Sequence, residues 1–142
     1  MTPAQIFPSD AILPASILRV PSMRFPGVMH WGVADWDFDE IGQRAMWHSQ
    51  KSDCLRRTDY AYFSSGQPFQ LLWTPQNYDQ QVWVIQRLRS KEGLPWNLAT
   101  ANCEQVVRWA VEGTARSEQL GVGLLAATAA GAVILLASSK RA

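Results

Sequence analysis

The sequence predicts an α+β domain, a small antiparallel sheet packed on helices, with a C-terminal apolar helix added to it. Three observations point there. Short β-prone runs fill the first half of the chain, between Ile17 and Trp73. Two stretches with helical spacing follow, and sequential strands followed by helices read as α+β. After Gln119 the composition changes in kind, because Leu120 to Ala137 holds no charged residue.

Composition fits this reading. A chain of 142 residues is long enough for one compact core plus a short appendage. Apolar residues make up 47% and charged residues 18%, which excludes a disordered chain. The net charge of +1 comes without a basic block, so no nucleic-acid partner is expected. Seven tryptophans favour a dense core and an apolar cleft. Cys54 and Cys103 do not make a disulfide framework, and a reducing compartment is the simpler assumption. The opening Met1 to Pro8 lacks a basic region followed by an apolar run, so no signal peptide is expected.

Taken in order, residues 1–16 carry little pattern. Ile17 to Val20 reads as a strand stopped by Pro21, and Arg24 to Gly27 as a turn. Val28 to Trp36 is the clearest strand. Alternation puts His30, Gly32 and Ala34 on one face and Trp31 and Val33 on the other. A strand glycine beside His30 marks a place where something comes close. Asp37 to Glu40 reads as an acidic turn, and Arg44 to Ser49 as an antiparallel partner strand with His48 on the face of Arg44 and Met46. Lys51 to Thr58 is polar and basic. Tyr60 to Phe63 and Phe69 to Trp73 read as two further strands joined by a Ser-Gly-Pro loop. A helix is expected from about Pro75–Asn77 to about Lys91, with Val82, Ile85 and Leu88 as its stripe. The run Val82 to Ile85 also fits a strand, but its length and its glutamines favour helix.

The next segment carries the chemistry. Asn102 or Thr100 suits an N-cap, Glu104 suits the first turn, and Gly113 suits the stop. Cys103, Val106, Val107, Ala110 and Val111 share one face, so the sulfur sits at a helix N-terminus and points inward. That position favours thiolate and is expected to lower the thiol pKa. A free cysteine also serves as a small core hydrophobe. The only histidines, His30 and His48, lie upstream on strands, and a cysteine with such partners is a candidate nucleophile.

A helix over Leu120 to Ala137, at about 1.5 Å per residue, spans roughly 27 Å against a hydrocarbon core of about 30 Å. Gly123, Ala127 and Gly131 give small-xxx-small spacings through which such helices could self-associate into a homo-oligomer. The stretch is apolar all round, which favours a membrane anchor over a helix of the domain core. A C-terminal span without a signal peptide would leave the domain on the cytoplasmic side of a membrane.

His30-Trp31-Gly32-Val33 followed by Asn102-Cys103-Glu104 resembles the lecithin:retinol acyltransferase-like family, which includes small phospholipase A/acyltransferases. That family belongs to the papain-like superfamily in circularly permuted order, with His before Cys. Ser16 to Pro21 resembles the family's strand ahead of the His strand, Trp96 to Gln105 its nucleophile segment, and Gly113 to Gln119 the stretch after it. Two positions depart from the pattern. Members commonly carry His where this chain has Gln105, and their second histidine follows the first at a shorter interval than His48 does. A longer hairpin loop over Asp35 to Gly42 would account for the delay.

The resemblance implies residues 1–118 as a catalytic domain and 119–142 as a hydrophobic anchor helix. It implies Cys103 as nucleophile, His30 as its base and His48 as the group that orients His30. Backbone N–H groups at the helix start, that of Cys103 included, would receive the oxyanion. The expected substrate is a phospholipid or other acyl-lipid at a membrane, with no cofactor. A zinc site from His30, His48, Cys54 and Cys103 fits by ligand type but lacks any compact ligand pair, so no metal is expected. A cysteine peptidase or amidase of the same superfamily and a non-catalytic membrane-anchored adaptor are the alternatives.

Overall fold

The computed structural model describes residues 12–50, 53–97 and 102–113. The N-cap candidate Thr100 and the whole stretch 119–142, with its expected anchor helix, lie outside them. Among the described residues no helix is long and apolar enough to cross a membrane.

The molecule is α+β. Five strands form one antiparallel sheet in the order β4-β3-β2-β1-β5: β1 (Ile17–Pro21), β2 (Met29–Phe38), β3 (Arg44–Ser49), β4 (Leu55–Thr58) and β5 (Gln70–Trp73). The helices are α1 (Tyr60–Ser64), α2 (Tyr78–Ser90) and α3 (Cys103–Glu112). Alternation along β2 and β3 divides the core in two. Ile17, Trp31, Val33 and Trp47 pack with Val84, Ile85 and Leu88 of α2 and Val106, Val107 and Ala110 of α3. Leu18, Val20, Ala34 and Met46 pack on the other face with Phe63 of α1.

Local chemistry explains the helices. Asn77 caps α2 by accepting from the Gln80 N–H. Asn102 caps α3 in a reciprocal box: its side chain accepts from the Gln105 N–H at 2.9 Å, and the Gln105 side chain accepts from the Asn102 N–H at 3.0 Å. Gln105, the departure from the family pattern, is therefore a structural fastener here. Gly113 ends α3 with φ near 80°, a conformation that favours glycine.

Three expectations are corrected. Tyr60 to Phe63 is helical, not a strand. Three aromatics within four residues imitate period-two alternation, and the burial of Phe63 over Gly32 decides otherwise. Leu55 to Thr58, read only as polar and basic, is strand β4. It pairs with β3 in the register Met46↔Thr58 to Ser49↔Leu55. The interval before His48 is shared between a longer, irregular strand and a short turn rather than taken by a loop over Asp35 to Gly42. Strand β2 continues to Phe38, which pairs with Arg44 beyond an irregularity after Ala34. The turn is closed by the Asp39 N–H on the Gln43 carbonyl at 2.7 Å, with the Asp39 side chain accepting from Ile41 and Gln43.

Candidate active site

The register Gly32↔His48 sets two histidines on one face of neighbouring strands. His30 Nε2 lies 2.9 Å from His48 Nδ1, and His48 Nε2 lies 2.6 Å from Thr58 Oγ1. The threonine hydroxyl donates its proton to the Asp59 carbonyl. That assignment orders the rest. Thr58 Oγ1 accepts from His48 Nε2–H, so His48 Nδ1 is a lone pair that accepts from His30 Nε2–H. The remaining nitrogen, His30 Nδ1, then carries a lone pair and no proton.

Phe63 seals this pair. Its ring centroid lies 5.3 Å from that of His30 and 5.4 Å from that of His48. Gly32 makes room for it, since a Cβ there would lie 2.5 Å from Phe63 Cε2. The space inferred beside His30 is thus taken by an aromatic ring of the chain itself. Burial lowers the His30 pKa to about 4. Burial, then the neighbouring His30 and Arg56, lower that of His48 to about 3. Both rings are neutral at pH 7.

Cys103 opens α3 on the opposite side of the sheet. Its Sγ–H donates to the Met29 carbonyl at 3.9 Å, and among the described residues no hydrogen bond joins it to His30. The sulfur reaches His30 through a shared space instead. A cleft of about 370 Å³ at the end of the sheet where β2 begins is lined by both, together with Phe63, Trp96 and the 22–28 loop. Burial pushes the Cys103 thiol up to about 11, beyond what hydrogen bonds from the Trp31, Glu104 and Cys103 backbones recover, and the charge of Glu104 adds to the rise. This reverses the lowered thiol pKa expected at a helix N-terminus. Enclosure and a carboxylate next door outweigh the helix end. Glu104 is itself buried and held by Arg108 at 3.0 Å.

The structure therefore joins His30 to His48 directly and brings both His30 and Cys103 to one cleft. Cys54 lies apart, bridged to Pro95. Among the described residues no group of three or more His, Cys, Asp or Glu is placed to hold a metal ion. Sequence reasoning missed Thr58 and Phe63. Thr58 becomes visible only through the β3–β4 register, and Phe63 only when the 60–64 segment is read as helix. It missed Asp35 as well. That carboxylate is fully buried on the α2 side, bonded by Arg57 at 2.8 Å and Trp47 Nε1 at 3.0 Å, with Arg89 at 3.7 Å. Burial alone would raise its pKa, but these bonds and the Asp37 and Trp36 backbones hold it below the usual range.

In comparisons with known proteins, no family model, no curated protein and no solved structure matches this chain.

Proposed function

We propose that the chain is a thiol acyltransferase or phospholipase of the lecithin:retinol acyltransferase-like kind, in permuted papain-like order, acting on lipid acyl groups through a Cys103 acyl-enzyme. The observation that carries this reading is that His30, tied through Nε2 to His48 and onward to Thr58, shares a cleft with Cys103 and keeps Nδ1 outside that relay as its proton acceptor. A thiol near 11 and an imidazole near 4 do not form a resting ion pair. Proton transfer therefore accompanies attack rather than preceding it.

Nδ1 of His30 takes the thiol proton as sulfur bonds to the carbonyl carbon of the ester. The N–H of Cys103 at the helix start steadies the oxyanion. The carbon–oxygen bond to the leaving alkoxide then breaks, and His30 returns the proton to that oxygen. His48, accepting from His30 Nε2–H, holds the ring and shares the passing positive charge. Water or an amine next attacks the thioester, gives its proton to His30, and releases thiolate, which takes the proton back.

An apolar cleft mouth supports a lipid substrate. Met23 is 68% exposed, and Phe25, Val28 and Tyr62 stand open around the same cleft. An anchor over 119–142 would hold that mouth at a bilayer. The test is incubation of the full chain, in detergent, with mixed phospholipid micelles and separately with a peptidoglycan-type peptide. Mass spectrometry should find a fatty-acyl adduct on Cys103 from the lipid. Peptide cleavage without a lipid adduct would move the assignment to the peptidase alternative. Neither product would leave an anchored adaptor.

A further inference from the structure

Three buried polar side-chain atoms have no hydrogen-bond partner among the described residues: Ser16 Oγ, Trp31 Nε1 and Ser49 Oγ. Of these residues, Ser49 lines the cleft that holds Cys103 and His30. It is 1% exposed. Along β3 the side chains alternate, with Met46 and His48 on the Phe63 side and Trp47 in the core beneath α2 and α3. Ser49 therefore follows Trp47 onto the α3 side, where Cys103 lies. A hydroxyl taken from water and left unbonded weakens the fold, so a group of this kind calls for an explanation. Here it shares a cleft with the first residue of α3. The capping box of α3 occupies the N–H groups of Asn102 and Gln105, while those of Cys103 and Glu104 bear on the sulfur.

We propose that Ser49 supplies the side-chain half of the oxyanion site, its Oγ–H donating, together with the Cys103 N–H, to the carbonyl oxygen as sulfur attacks. This rests on the acyl-enzyme reading above and deepens it. The hydroxyl is held without a ground-state partner so that its bond forms where negative charge develops. No proton is transferred from it. The electron pair of the carbonyl moves onto oxygen as the carbon–sulfur bond forms, and returns as the alkoxide leaves.

The experiment compares two reagents on the full chain. p-Nitrophenyl hexanoate acylates Cys103 through a tetrahedral oxyanion. Iodoacetamide alkylates it by displacement at carbon, with no oxyanion. For Ser49→Ala, acylation of Cys103 should slow by about 10²-fold, while alkylation stays within about twofold and the melting temperature holds or rises. Ser49→Thr, which keeps the hydroxyl, should retain most of the acylation rate. The proposal is overturned if acylation is unchanged in Ser49→Ala. It is equally overturned if acylation and alkylation fall together, or if the melting temperature drops as a structural hydroxyl would require. If the unsubstituted chain forms no ester adduct on Cys103 while still reacting with iodoacetamide, the acyl-enzyme reading itself fails and takes this proposal with it.

Discussion

The two faces of the sheet bury ionisable groups in opposite ways. Beneath α2 and α3, Asp35 is fully buried yet charged, because Arg57, Trp47 and Arg89 surround it. Beneath α1, His48 is buried and His30 half-buried against Phe63, bonded to each other and to Thr58 with no carboxylate among those bonds, and both lose their charge. Burial with counter-charges fixes an ion as architecture. Burial without a bonded counter-charge sets an imidazole in its basic form, which is the state a proton acceptor needs.

The largest way to sharpen that contrast is removal of the base. His30→Asn should lower the rate of Cys103 acylation by about 10² to 10⁴-fold with little loss of fold, read as adduct formation against time together with a thermal melt. Asp35→Ala should do the reverse. Its guanidinium partners are half-exposed and can turn to water, so the cost should sit below that of a sealed pair, at about 2–3 kcal/mol by denaturant titration. A large acylation defect at unchanged stability there would break the division of labour.

Acid should separate the faces as well. The two histidines have folded-state pKa values depressed to about 4 and about 3, below the ordinary 6.5. The unfolded chain therefore binds more protons below pH 6.5. Stability contributed by the neutral rings is fully present above that value and falls as pH drops, by up to about 1.4 kcal/mol per pH unit for each ring, until the folded rings protonate. Denaturant midpoints from pH 7 to pH 4 should show this slope, and the double variant His30→Asn/His48→Asn should flatten it. A smaller effect concerns the lid. Gly32→Ala would drive a methyl against Phe63, with an expected cost of about 1–3 kcal/mol. The histidine resonances should shift with it, seen by NMR.

Much of this arrangement is legible from the residues. The alternation in Met29–Phe38 sets His30 with Ala34 and away from Trp31, and Asn102 with Gly113 brackets α3. What stayed hidden depends on pairing across distance. Leu55 to Thr58 has the composition of a loop, and only its register with β3 makes it a strand and delivers Thr58 to His48. The Tyr60 to Phe63 run is too short for its period to show, and its packing over Gly32 chooses helix. The thiol pKa is hidden for a related reason. The helix end is visible in sequence, whereas the enclosure that outweighs it is tertiary.

The claim at the centre is that Cys103 acts through His30 rather than by ionising alone, and the pH profile of Cys103 acylation by a soluble ester tests it most directly. The rate should climb through about pH 4, stay level across neutral pH, and depend on His30. In His30→Asn the profile should instead climb steadily towards the thiol's own value of about 11. Superimposable profiles for the two proteins, both rising tenfold per pH unit through neutrality, would contradict it.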